Sequence, residues 1–223
     1  MKNKIISIID YTGSKAGMDY YSMSLATGIA RNKIKVYIYS NFKKDKVDGV
    51  QTIPVFKRSV NNIIFKFFDA IYGNLKAALL IKFNKSNFVI MHLFAASYFS
   101  LFQFFIFWVF NIKMLTIIHD VQGFNEEKLW IKNLILNKFS WKLIVHNKFS
   151  KDQVLNSHIV KCESKIFQIK HGGFIEKLNT QKKVDRTLAL KYFNLSSKKK
   201  YILFFGQIGN KKGLDILLNS IKF

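Results

Sequence analysis

Short apolar runs alternate with longer stretches of helical period along most of this chain. Residues 4–9, 35–39, 50–55, 87–92, 113–118, 142–146 and 165–169 each read as strands, most of them with a continuous apolar core such as Phe88-Val89-Ile90-Met91. Continuous apolar runs of that length mark strands covered on both faces, as in parallel sheets flanked by helices. Residues 35–39 are the exception, with Val36 and Ile38 alternating with Lys35 and Tyr37. Helical periodicity fills the intervals. Tyr21, Leu25 and Ile29 share a face over residues 18–31, and further helices are predicted over 59–83, 95–110 and 126–139. Ser150, with Asp152 in the following turn, reads as the N-cap of another helix. Strand, glycine-containing loop, helix and strand within residues 4–39 form a right-handed βαβ unit. The predicted class is therefore α/β, a doubly wound parallel sheet of Rossmann-like type.

The longest uncharged stretch tests that reading. From Phe88 to Ile112 there is no Asp, Glu, Lys or Arg, long enough to span a bilayer. Its first residues already read as a strand and a strand follows it, so residues 95–110 are predicted to be a buried or membrane-leaning crossover helix. The N-terminus lacks the long apolar core of a signal peptide, which makes the cytoplasm the default compartment. A single cysteine, Cys162, excludes an internal disulfide and suits a reducing environment.

Charge widens the list of partners. The formal net charge is +23, carried in short lysine runs such as Lys198-Lys199-Lys200. Such a surface suits anionic lipid or nucleic acid, or is simply well solvated. No RNA-binding aromatic motif or zinc knuckle is evident, so a membrane surface is favoured and no nucleic acid is expected.

Two stretches carry candidate chemistry. Residues 201–218 read as a buried strand, a turn punctuated by Gly206, Gly209 and Gly213, and a helix starting near Leu214. Such a turn aims backbone N–H groups and a positive helix end at a phosphate, to which Lys211 or Lys212 can add a charge. The strand at 113–118 ends in His119-Asp120, ionisable groups where open α/β sheets place ligands. The loop holding Gly13 and Gly17 does not have the G-x-G-x-x-G spacing, so no dinucleotide is read from it.

In this order the chain resembles the retaining two-domain GT-B glycosyltransferases of the family-4 group (glycosyl transferases group 1). The resemblance rests on Gly17-Met18-Asp19-Tyr20-Tyr21, on Leu115-Thr116-Ile117-Ile118-His119-Asp120, on Leu143-Ile144-Val145-His146-Asn147-Lys148-Phe149-Ser150, on Ile169-Lys170-His171-Gly172-Gly173, and on residues 201–218. It implies an acceptor domain at 1–175, a linker at 176–200, and the first strand and helix of an incomplete donor domain at 201–223. It also implies retaining transfer of a sugar from a nucleotide-sugar donor to a hydroxyl of a polysaccharide or lipid-linked acceptor. No separate cofactor or metal is implied. Carried onto this sequence, His119 and Asp120 are catalytic, Gly206, Gln207, Lys212 and Gly213 hold the donor, and Gly13, Gly17 and Met18 form the acceptor-side loop. Gln207 stands where the family often has Arg, and the family's acidic pair for the donor falls beyond Phe223. Two alternatives remain at this stage: a truncated, catalytically inactive acceptor domain, and a basic nucleic-acid-binding α/β protein. The resemblance further implies a cytoplasmic protein, peripheral on the inner face of the cell membrane.

Overall fold

The computed structural model describes residues 4–13, 17–42, 47–57, 63–119, 121, 128–172, 185–205 and 213–221. The chain divides into two units, Met1–Glu176 and Lys177–Phe223.

The first unit is built on a seven-stranded sheet whose paired strands all run parallel: β1 (Ile5–Asp10), β2 (Lys35–Ser40), β3 (Val50–Pro54), β4 (Phe88–Leu93), β5 (Met114–Ile118), β6 (Ser140–Val145) and β7 (Ile166–Gln168). The spatial order is β3-β2-β1-β4-β5-β6-β7. Succession runs outward from β1 in one direction and outward from β4 in the other. The switch point therefore lies between β1 and β4, where the carboxyl ends of such sheets open a crevice. Pro54 closes β3, an edge strand, where its missing N–H costs the ladder nothing. The predicted α/β class and doubly wound parallel sheet are the fold observed.

Both faces of the sheet are covered. Helix α1 (Met18–Ala30) packs on one face over Ile6, Ile8, Val36 and Ile38. On the other lie α2 (Ile63–Phe83), α3 (Tyr98–Val109), α4 (Leu129–Asn133) and the single π-helical stretch Leu134–Phe139 that continues it. This double cover corrects the alternation expected in β2. Tyr37 and Tyr39 are as buried as Val36 and Ile38, each group facing a different layer.

The long uncharged stretch resolves into β4 and α3. Helix α3 starts at a capping box in which the Ser97 hydroxyl accepts the Ser100 N–H and the Ser100 hydroxyl accepts the Ser97 N–H. Gln103 is buried and donates to the side-chain oxygen of Asn74 on α2 at 3.4 Å. Among the described residues no helix is long and apolar enough to cross a membrane.

The cap of α5 (Lys148–Asn156) also differs from expectation. Asn147, not Ser150, is the N-cap, and its side-chain oxygen accepts the Ser150 N–H at 2.7 Å. Ser150 sits one turn inside, as the donor the cap serves.

The second unit contains α6 (Arg186–Tyr192), capped by Asp185, whose carboxylate accepts N–H bonds from Thr187 and Leu188. It also contains α7 (Leu214–Ser220), entered through Gly213 at φ 68°. Residues 201–205, read from sequence as a buried strand, form none here. Among the described residues no ladder partner meets them, and Leu203 is 85% exposed.

Candidate functional site

Because the strands are parallel, residues that end them gather along one edge of the sheet. His92 is the penultimate residue of β4, and His119 follows β5 directly. His146 follows β6, and His171 comes shortly after β7. Four of the chain's five histidines thus recur every 25 to 27 residues, and the sheet order sets them side by side. His92 Nδ1 and His119 Nε2 are 3.0 Å apart. The His119 and His146 rings are centred 5.8 Å apart, and those of His146 and His171 4.9 Å apart. Tyr21, from the first turn of α1, reaches over the row, its ring 5.1 to 5.8 Å from all four. Phe94 stacks on His119 at 4.5 Å with the planes 11° apart.

Hydrogen bonds assign the protons. His146 Nδ1 is 3.0 Å from the carbonyl oxygen of Ile169, so Nδ1 must carry the hydrogen. In the neutral ring Nε2 is then an acceptor, and the Tyr21 hydroxyl donates to it at 3.0 Å. Burial pushes the Tyr21 phenol up to about 12 and keeps it a donor. Burial, with the neighbouring imidazoles adding to it, pushes His92 down to about 3 and His119 down to about 4. His146 is also lowered, chiefly by burial, with its bond to Ile169 acting in the opposite direction. At neutral pH the buried part of the row is uncharged, a set of hydrogen-bonding groups rather than a cationic clamp. His92 Nε2 is shielded from solvent and meets no partner among the described residues. An orphaned buried nitrogen of this kind costs about 1–3 kcal/mol, which a ligand atom would recover. Among the described residues no three such groups converge as metal ligands do.

A cavity of about 280 Å³ opens beside His92 at the switch point, lined by Asp10, Tyr11, Phe94, Ser97 and Gln103 among others. Asp10 organises its β1 side. Buried at the end of β1, it accepts the Gly13 N–H on one carboxylate oxygen and the Ser22 hydroxyl on the other, each at 2.7 Å. Gly13 has φ 57°, and a Cβ there would meet the Asn41 Oδ1 at 1.9 Å. Gly17, at φ 75°, starts α1, and its carbonyl accepts the N–H groups of Tyr20 and Tyr21. It therefore aims Tyr21 at the histidines. Met18 is buried in the core beneath.

The candidates named from sequence are thus unevenly placed. His119 stands in the middle of the row. Gly13 and Gly17 shape the loop beside it, and Gly213 caps α7 in the second unit. Asp120, Gly206, Gln207 and Lys212 lie outside the described residues. Sequence reading did not single out Tyr21, His92, His146 and His171 as site residues. Their signal was available as a histidine at or just after the end of four successive apolar runs.

No family model matches the sequence, and no curated protein matches it. Among solved structures the chain is similar to sucrose-phosphate synthase from Thermosynechococcus elongatus, with a TM-score of 0.68 and 14% identity over 98% of this chain and 59% of that one. It is similar to a glycosyltransferase from Rickettsia africae ESF-5, with a TM-score of 0.61 and 16% identity over 99% of this chain and 57% of that one. The fold is glycosyltransferase-like. A UDP-N-acetylglucosamine 2-epimerase from Rickettsia bellii has it too, at a TM-score of 0.54 and 9% identity over 87% of this chain and 52% of that one. At these identities the likeness is one of architecture, which hosts more than one chemistry. The chain spans less than two thirds of the length of each of these structures.

Proposed function

We propose that this chain is a glycosyltransferase, moving a sugar from a nucleotide-sugar donor to a hydroxyl of a polysaccharide or lipid-linked glycan with retention at the anomeric carbon. The observation that carries the proposal is the row of neutral histidines at the carboxyl ends of β4, β5 and β6, beside the switch-point cavity. Sugar hydroxyls both donate and accept hydrogen bonds, and uncharged imidazoles of defined tautomer answer both needs. The unpartnered His92 Nε2 supplies a polar contact, His119 Nε2 fixes the His92 ring through its Nδ1, Phe94 supplies a wall, and Tyr21 holds His146 in one tautomer.

In this reading His119 and Asp120 serve the reacting sugar, and Gly13, Gly17 and Met18 shape the acceptor side. Gly206, Gln207, Lys212 and Gly213 receive the donor diphosphate, with Lys212 offsetting the charge that develops as it departs. The glycosidic bond to the diphosphate breaks as the acceptor oxygen bonds to the anomeric carbon, and the acceptor proton leaves with the nucleoside diphosphate or to solvent. Domain bounds of 1–175, 176–200 and 201–223 belong to this reading.

The test is nucleoside diphosphate release from a panel of UDP-, GDP- and ADP-sugars by the full chain, with and without glycan acceptors. Release from one donor is expected, with His119→Ala about 100-fold slower, as for loss of one preorganised polar contact. No release and no donor binding across the panel would refute the proposal.

A further inference from the structure

Helix α2 faces the wrong way for an ordinary surface helix. Its sheet-facing side carries small residues, including Ala70, Gly73, Ala77 and Ala78, all buried. A Cβ on Gly73 would lie 2.3 Å from the Phe56 ring, so close approach at that turn requires glycine. The bulky residues point outward. Phe65, Phe68, Tyr72, Leu75 and Leu79 recur at three- and four-residue spacing on one exposed stripe, with Phe65 and Tyr72 each 64% exposed. From Phe65 to Leu79 this stripe runs about 21 Å along the helix.

The stripe continues onto its neighbours. Phe67 on α2 meets Phe102 on α3 at 6.2 Å. Tyr98 on α3 meets Trp130 on α4 at 6.2 Å, and the exposed rings of Phe105 and Trp108 on α3 stack at 6.0 Å. A contiguous apolar face of this kind marks an interaction site. Among the described residues its charges are mostly positive. Lys66, Lys76, Lys82, Lys128 and Lys138 are exposed around it, against the half-buried Asp69. Three of these lysines lie beside its rings: Lys76 by Tyr72, Lys128 by Tyr98 and Lys138 by Trp108, at 5.9, 4.7 and 4.9 Å.

We propose that the α2–α3–α4 face docks flat on an anionic lipid surface, its aromatic stripe entering the headgroup boundary and its lysines meeting the phosphates. Aromatic residues rimmed by lysines are the composition of interfacial anchors. No described helix is built to cross the bilayer, so the face lies on the membrane. Charge decides against a second copy of this chain as the occupant. Two chains of net charge +23 repel, whereas the same charge draws the face to anionic headgroups. The inference stands apart from glycosyl transfer, since donor turnover is measured without vesicles.

The experiment is flotation of the full chain with vesicles of equimolar phosphatidylglycerol and phosphatidylcholine, and with vesicles of phosphatidylcholine alone. Binding to the anionic vesicles only is expected, at least tenfold weaker for the double variant Phe68→Glu/Leu79→Glu. It should survive in Lys198→Gln/Lys199→Gln/Lys200→Gln, which lowers the net charge by three elsewhere, against two for the double variant. Equal flotation of the double variant would overturn the proposal. So would a wild-type chain that does not float, whether it is a monomer or a dimer in the ultracentrifuge that the double variant dissociates. A second measurement needs no substitution in the face. In a Trp141→Phe chain, brominated anionic lipid should quench Trp108 and Trp130, and absence of quenching would also overturn it.

Discussion

Phe88–Leu93 and residues 201–205 are short apolar segments of similar character with opposite fates. The first is β4, paired with β1 on one side and β5 on the other, with Val89 and Met91 buried in the core. The second has no ladder and shows Leu203 and Phe205 to solvent, the latter 91% exposed. Apolar composition makes a strand possible. Partners on both sides and helices above and below make it one, because backbone groups and side chains must both be satisfied. The first unit supplies these, and with them the aligned strand ends that assemble the histidine row.

The largest effect comes from breaking the paired region. Ile38→Asp places an unpaired charge in a fully buried strand position and should cost about 4 kcal/mol or more. Leu203→Asp should change stability by no more than about 0.5 kcal/mol. Urea denaturation followed by far-ultraviolet circular dichroism separates the two. Equal losses would mean that residues 201–205 are packed as a strand after all.

Acid sharpens the comparison next. His92 and His119 titrate below their ordinary value when folded, so between about pH 6.5 and pH 3 the unfolded chain binds more protons than the folded one. The stability they contribute is therefore full above pH 6.5 and is lost as pH falls towards 4 and then 3, at most about 8 kcal/mol for the two together. The second unit has no histidine, and all three tryptophans, Trp108, Trp130 and Trp141, lie in the first. Tryptophan fluorescence during acid titration should report this loss, with a shallower slope in His92→Gln. An unchanged slope would remove the buried neutral base from the account.

A smaller effect contrasts two glycines at positive φ. Gly13→Ala carries both backbone strain and the collision with Asn41, and should cost about 2 kcal/mol. Gly213→Ala, whose Cβ would meet only Ile216 at 3.7 Å, carries the strain alone, about 1 kcal/mol. Thermal melts of the two variants check the order.

The parallel sheet was readable because helices on both faces demand mainly apolar strands, and seven short segments rich in apolar residues stand in the sequence at βα spacing. The exposed run at 201–205 shows the limit of that rule, since the same composition arises without partners. His119 was readable as a polar residue ending a strand. His92, His146 and Tyr21 were not, because their meeting depends on strand order, and a switch point between β1 and β4 leaves no local trace. The α5 cap was misplaced because Asn147 and Ser150 are both good caps, and only the folded backbone shows which one accepts the bond. The α2 stripe escaped notice because periodicity shows that a helix has two faces without showing which one the sheet takes.

The central claim is that the histidine row is where a nucleotide sugar is held, and imidazole resonances report on it directly. The fifth histidine, His158, stands apart beyond the end of α5 and serves as an internal reference. Adding the donor found in the release assay to the full chain should shift the Cε1–H signals of His92, His119 and His146 and leave that of His158 in place. Saturating donor that moves none of the three, or moves only His158, would contradict the account.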